Sequence, residues 1–196
     1  MVAFVLALVL RFQSLVGRLQ MALFCGQSLH HSRFQSLVGR LQMVVAPTYG
    51  LLQRVTLPAA LRVLKLFVGG DYRAIERTFY LRTGGHVYFG SADKPLSLEG
   101  VHVYAAWLDE AGQMKREAWD VALRRAGLYE APVLLTTTPY NLGWLKLEVY
   151  DKWAEGDRDY FVVQFPSYWN PVYPRAEYLR AKRTLPRWKF DMFYRG

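Results

Sequence analysis

The sequence predicts an α/β domain built on a mainly parallel sheet with helices on both faces, and three observations predict it. The first is a short apolar stretch, Val44-Val45-Ala46, that stops at Pro47-Thr48-Tyr49-Gly50 and gives way to apolar residues at helical spacing. The second is a glycine turn, Thr83-Gly84-Gly85, set between two runs of aromatic and β-branched residues. The third is a hydrophobic run from Val101 to Leu108, followed by an amphipathic segment and a second apolar run, Ala131 to Leu135. Strand, helix and strand in that order read as a parallel crossover unit.

In the first unit Leu51, Leu52, Val55, Leu61, Leu64 and Phe67 fall near the helical period, so a helix is expected from Leu51 to Phe67. Pro58 should kink or restart it, because proline lacks the amide donor and crowds the preceding turn. Thr78 to Arg82 and His86 to Phe89 should pair as a hairpin, the glycines between them supplying the positive φ of a tight turn. His86 and His102 are expected as strand surface or core residues rather than ligands. Lys115 to Leu128 gathers Trp119, Ala122, Leu123 and Ala126 on one helical face. Leu142 to Trp153 and Tyr160 to Phe165 then read as a further helix and strand extending the same sheet.

Composition narrows the class. A chain of 196 residues with 52% hydrophobic and 21% charged residues can bury a core, which excludes a disordered chain. No uncharged run reaches the length of a membrane-spanning helix. One cysteine, Cys25, cannot form an internal disulfide, so an intracellular setting is the default. The balance of 25 Lys+Arg against 16 Asp+Glu, a net +9, favours a polyanionic partner.

Residues 1–43 stand apart. Residues 1–70 hold seven basic residues and no acidic one, Asp71 being the first. Arg11 to Met21 recurs unchanged as Arg33 to Met43, a period of 22 residues. Three nucleotides per residue make that 66, about the size of one repeat-spacer unit of a CRISPR array. The segment is therefore expected to be a duplicated, non-native or poorly ordered stretch, read through from repeat DNA. Met1 to Leu10 has the apolar core of a signal peptide but neither a positive n-region nor a small-residue cleavage site. Two repeats are too few for a stable stack, and Cys25, His30 and His31 lack the spacing of a zinc site.

The chemistry concentrates where Val101 to Leu108 closes on two adjacent carboxylates, Asp109 and Glu110. In an open parallel sheet, ligands bind beyond the carboxyl ends of the strands. In nucleotide hydrolases one carboxylate there holds Mg²⁺ and a second can orient the attacking water. The competing reading is that both acids cap the helix that follows, since negative charge is favourable at a helix N-terminus. Ala131 to Leu135 ends in Thr136-Thr137-Thr138-Pro139, which brings hydroxyls to the same edge as the acids. Threonines also occur as plain β-branched strand residues, so both readings stand at this point.

The ordered series Val44 to Tyr49, the Gly84-Gly85 hairpin, Phe89 to Asp93, Ser97 to Gly100, Trp107 to Ala111 and Leu134 to Pro139, with Trp144 beyond, resembles the ATPase domain of the phage terminase large subunit over roughly residues 43–196. The resemblance implies a three-layer P-loop NTPase-like (ASCE) fold, incomplete at the N-terminus, in a DNA-packaging motor that hydrolyses Mg²⁺-ATP. By it, Asp109 matches the metal-binding acid and Glu110 the catalytic one of the Walker B motif, Thr136, Thr137 and Thr138 match the coupling motif, and Thr48 and Tyr49 match a post-strand motif near the nucleotide. The partners implied are double-stranded DNA, a terminase small subunit, a portal and further copies in a ring, in the cytoplasm of a bacterial host.

Three departures qualify this. The family commonly has arginine before the glycine matched by Gly100, where this chain has Glu99; Arg82 is the candidate to replace it as arginine finger. No Gly-x-x-x-x-Gly-Lys-Ser/Thr occurs, and none of the seven lysines follows a glycine, so the phosphate cradle is missing. The nuclease domain is missing too, and the chain reads as an ATPase fragment inactive on its own. The rivals are a non-catalytic DNA-binding remnant and a helicase-like ATPase fragment. Residues 172–196 hold seven basic and two acidic side chains interleaved with aromatics, which suits a nucleic-acid backbone groove carried by Arg180, Lys182, Arg183, Arg187 and Lys189. The alternative there is a helix with a packed aromatic face and a solvated basic one.

Overall fold

The computed structural model describes residues 21–25, 40–100, 102–138 and 143–195. The signal-like run, His30 and His31, and most of both repeat copies lie outside the described residues, as do Val101 and Pro139 to Leu142.

Eight strands form one sheet: β1 (Met21–Cys25), β2 (Leu41–Ala46), β3 (Gly70–Arg73), β4 (Thr78–Leu81), β5 (His86–Ser91), β6 (Ala105–Asp109), β7 (Val133–Thr137) and β8 (Tyr160–Gln164). Their order across the sheet is β3-β4-β5-β2-β6-β7-β1-β8. The centre, β5-β2-β6-β7, is parallel throughout, with Val45 opposite both Gly90 and Leu108 and Asp109 opposite Thr136. β4 and β1 run against their neighbours on both sides, so the remaining six strands all point one way. The expectation of a mainly parallel sheet thus holds at the centre, and antiparallel pairing is confined to the flanks.

Two details differ from the sequence reading. β2 begins at Leu41, so its first half is the end of the second repeat copy, and the boundary drawn after residue 43 falls inside a strand. Within the segment set apart by the repeat, Met21–Cys25 sits in the sheet between β7 and β8, antiparallel to both.

Helices cover both faces, which makes three layers. On one face the helix Leu57–Phe67 buries Leu57, Ala60 and Val63 against Val44, Ala46, Phe79, Val87 and Phe89. On the other the helix Arg116–Gly127 buries Ala118, Trp119, Val121, Ala122 and Ala126 against Met43, Val45, Leu108, Val133 and Leu135. The strict alternation of β2, Met43 and Val45 to one face and Val44 and Ala46 to the other, is what a strand covered on both sides requires. Trp119 stacks on Trp144 with ring centroids 5.7 Å apart, tying the segment after β7 to the same face.

Pro58 acts as expected, with a local reason. One helical turn, Tyr49–Leu51, is followed by a π-helical stretch, Leu52–Thr56, and the α-helix restarts at Leu57 with the proline in its first turn. The run stays in the right-handed helical region through Thr56 and Leu57, so the proline falls where the wider π-helical turn passes into the α-helix rather than in the interior of a regular α-helix. The hairpin forms as β4 and β5, with Gly84 at φ +87°.

Candidate functional site

The carboxyl ends of β2, β5, β6 and β7 meet at one edge, and most of the polar residues read from the sequence are there. Asp109, the last residue of β6, is 6% exposed. Its Oδ1 accepts a hydrogen bond from Thr136 Oγ1 at 3.0 Å and its Oδ2 accepts one from Thr56 Oγ1 at 2.6 Å. Burial pushes the Asp109 carboxyl above its ordinary range, against the opposing effect of the two threonine hydroxyls and the Glu110 amide. Thr136 in turn accepts from Trp107 Nε1 at 2.8 Å, so its one proton is committed to Asp109.

Glu110 follows in the left-handed region, at φ +54° and ψ +44°. Arg77 and Glu130 share that conformation at turns, and at Glu110 it likewise turns the chain at the end of β6. It turns the chain so that Glu110, half buried, leaves the strand in a different direction from Asp109. The capping alternative fails on geometry. A short 3₁₀ turn, Ala111–Gln113, intervenes, the next helix starts only at Arg116, and the acid in its first turn is Glu117.

The three threonines divide their work. Thr136 serves Asp109. Thr137 Oγ1 accepts the Gly112 amide at 3.0 Å and donates to the Thr138 carbonyl at 2.9 Å, lashing the loop after Glu110 to the tip of β7. A Cβ on Gly112 would lie 2.6 Å from Thr137 Oγ1, so the loop can approach this closely only with glycine. Thr138 is buried at the strand end. Trp144 reinforces the loop by donating from Nε1 to the Met114 carbonyl at 2.9 Å.

Thr48 caps the turn after β2, its Oγ1 accepting from the Leu51 amide at 3.2 Å. The Tyr49 amide donates to Asp93 Oδ2 at 3.3 Å, and Ser91 Oγ to Asp93 Oδ1 at 2.6 Å. Ser91, and with it the backbone amides of Tyr49 and Lys94, holds the Asp93 carboxyl below its ordinary range. Sequence reasoning assigned no role to Thr56, Ser91, Asp93 or Gly112. Ser91-x-Asp93 at a strand end was a readable signal, and Thr56 had none.

Other candidates lie elsewhere. Arg82 follows β4, at the edge where β5 begins, and so at the opposite edge of the sheet from Asp109. Its guanidinium packs over Gly69. Glu99 pairs with Arg124 at 2.6 Å, which lowers its carboxyl. Arg180, Lys182 and Arg183 lie on the helix Arg175–Thr184 and Arg187 and Lys189 on the turn Arg187–Phe190, all exposed. Arg180 pairs with Glu177 and Arg187 with Asp191, while Tyr173, Tyr178, Phe190 and Tyr194 pack on one another. Trp188 is exposed beside Lys189.

Among the described residues no cluster of three or more His, Cys, Asp or Glu could hold a metal ion by itself. Mg²⁺ bound with a nucleotide commonly takes one or two carboxylates from a protein and completes its shell with phosphate oxygens and water. Asp109 fits that demand: with a threonine hydroxyl on each oxygen and the Glu110 amide beside them, the carboxylate still has lone-pair capacity for a cation. No helix among the described residues is long and apolar enough to cross a membrane.

No protein-family model matches the chain, and no curated protein matches it in sequence. Solved structures do match in fold. The large terminase of a thermophilic bacteriophage superposes with a TM-score of 0.67 at 17% identity, covering 81% of this chain and 41% of that one. The same phage enzyme in complex with ADP gives a TM-score of 0.62 at 17% identity, over 80% and 40%. The ATPase domain of the Thermus phage P74-26 large terminase gives 0.58 at 16% identity, over 80% and 76%. The chain thus spans about two fifths of the first of these proteins and most of the isolated Thermus phage domain, and its fold is that of a phage large terminase ATPase domain.

Proposed function

We propose that the chain is the ATPase portion of a viral DNA-packaging motor and binds Mg²⁺-ATP at the carboxyl edge of β2, β6 and β7. One observation carries the reading: a buried carboxylate at the tip of β6, bonded to the tip of β7, with a second carboxylate beside it on a left-handed residue. Structures of the thermophilic-phage large terminase with ADP and with ATP-gamma-S support a nucleotide as ligand.

In this reading Asp109 holds the metal, and Thr56 and Thr136 keep its carboxylate oriented. When bound, Mg²⁺ neutralises charge developing on the β- and γ-phosphates. Glu110 orients the attacking water and accepts its proton, which its separate direction at φ +54° allows. Thr136 to Thr138 join the metal acid to the loop bearing Glu110, so a change at the phosphates would be transmitted to β7 and to Trp144. The push would be delivered to double-stranded DNA, with the small subunit, the portal and a ring of copies as partners and the bacterial cytoplasm as setting.

The sequence contains no glycine-lysine phosphate loop, so weak binding and no turnover are expected of these 196 residues alone. That same feature favours a second reading, a DNA-binding remnant without nucleotide. Calorimetry with Mg²⁺-ATP separates them. Binding lost in Asp109→Ala and kept in Glu110→Gln supports the ATPase reading; no binding at millimolar ATP sinks it and leaves the remnant.

A further inference from the structure

Thr56 is 1% exposed and lies at the end of the π-helical stretch Leu52–Thr56, two residues before Pro58. A threonine inside a helix ordinarily returns its hydroxyl proton to the carbonyl one turn back. This one gives it to Asp109 Oδ2, 53 residues away, at 2.6 Å. Asp109 therefore stands between two hydroxyls from different elements: Thr136 from the neighbouring strand and Thr56 from the helical run on the other side. The run is held at both ends by carboxylates. The Tyr49 amide bonds Asp93 at its start, and Thr56 bonds Asp109 at its end.

We propose that Thr56 is a positioning residue for Asp109: its hydroxyl fixes the carboxylate between two donors and ties the turn Thr48–Tyr49 to the tip of β6 through the π-helical segment. The widened turn sets the phase of the run. Each residue rotates a helix by about 100°, so an α-helical path from Leu52 would carry the hydroxyl away from Asp109. Occupation of Asp109 by a cation then acts on the Thr56 bond, and through it on the turn after β2. The part that concerns the cation rests on the nucleotide reading above; the tether itself does not.

Two measurements on the full chain test this. The first is binding of Mn²⁺ with ADP, read from the paramagnetic resonance of bound Mn²⁺. Thr56→Val keeps the volume and removes the donor, and should weaken binding about tenfold or more, the equilibrium worth of a hydrogen bond to a charged group. Thr56→Ser, which restores the donor, should bind like the parent chain. A Thr56→Val chain that is folded and binds normally overturns the positioning role.

The second is amide exchange over residues 49–57, without metal. Thr56→Val and Asp109→Ala should each speed exchange there by about tenfold, and the double variant should be no faster than Asp109→Ala alone, because the Thr56–Asp109 bond is already lost in it. Additive effects overturn the tether. If the parent chain binds no Mn²⁺-ADP, the nucleotide reading fails and the exchange cycle alone decides the tether. Should Thr56→Val fail to fold, Asp109→Ala compared in the parent and Thr56→Ser backgrounds gives the same answer: equal acceleration in both supports the bond, and none overturns it.

Discussion

The carboxyl edge of the sheet and the C-terminal helices are both rich in polar side chains, yet they are held in opposite ways. At the edge, Asp109, Thr56, Thr136 and Thr137 are buried and bonded across sequence separations of 25 to 53 residues. In the C-terminal helices the charges are exposed and their partners lie three or four residues away, as in Arg180 with Glu177 and Arg187 with Asp191. A buried polar group left without a partner costs far more than an exposed one, so the first region is a single interdependent network and the second a set of nearly independent charges. Substitutions should therefore act cooperatively in one and locally in the other.

The largest effect is expected for Thr136→Val. It removes the donor to Asp109 Oδ1 and the acceptor of the Trp107 indole N–H while keeping the side chain's volume. A loss of about 3 kcal/mol in urea unfolding follows from one buried hydrogen bond to a carboxyl group and one half-buried hydrogen bond. A loss no larger than that of an average surface change would mean that water enters this edge freely, and the contrast between the regions would collapse.

Gly112→Ala ranks next. Its Cβ would meet Thr137 Oγ1 at 2.6 Å, forcing the threonine to rotate and give up two bonds. About 1–3 kcal/mol of destabilisation is expected, as for other overpacked sites. Adding Thr137→Ala should recover part of it, because the clash goes with the hydroxyl. A double variant less stable than both singles would show that the loop is held by something other than that contact.

Asp109→Asn tests the electrostatics with the opposite sign. Burial raises the folded carboxyl above the ordinary value of 3.8, so the fold prefers the protonated form. Its contribution to stability is complete below the ordinary carboxyl range and is lost as pH rises through the raised folded value. Asparagine mimics the protonated form, and neighbouring hydroxyls can reverse to accept from its amide. The variant should therefore melt higher than the parent at pH 7, with the gap shrinking toward pH 4. A parent chain more stable at pH 7 would mean that the threonine donors outweigh desolvation. If Asp109 holds a cation as proposed, binding would offset this cost.

Much of this site could be read from the sequence because chain order alone places it. Asp109 and Thr136 end consecutive parallel strands, and the parallel-sheet rule puts such tips at one edge whatever the side chains do. The adjacent Asp-Glu pair and the threonine run were legible for that reason, whereas Thr48 came only with the family resemblance. Thr56 was not, because its meeting with Asp109 depends on the phase of a helix that changes from π to α within a few residues, and hydrophobic spacing cannot fix phase that finely. β3 escaped notice because Gly70–Arg73 is short and half exposed, with little apolar pattern. Met21–Cys25 is a five-residue apolar run, and periodicity alone does not tell so short a run from a piece of helix.

The smallest stability effects, and the sharpest test of the second region, should come from Lys182→Ala and Arg183→Ala. Both side chains are exposed on the helix Arg175–Thr184, whose buried contact is Ala181, so the melting midpoint should not move measurably. If this face meets the phosphate backbone of double-stranded DNA, each removal should lower the slope of log affinity against log salt by about 0.9 in magnitude. Arg180→Ala should lower it by less, because that guanidinium already pairs with Glu177 through two hydrogen bonds, and DNA would have to displace a partner fixed one helical turn away. Slopes unchanged from the parent chain in all three variants would identify the basic face as solvated surface and move the search for DNA contacts to exposed Trp188 and its neighbour Lys189, where an aromatic ring and a cation stand side by side. A fall in melting midpoint would instead show that these charges belong to a network like the one at Asp109, and the two regions would no longer be different in kind.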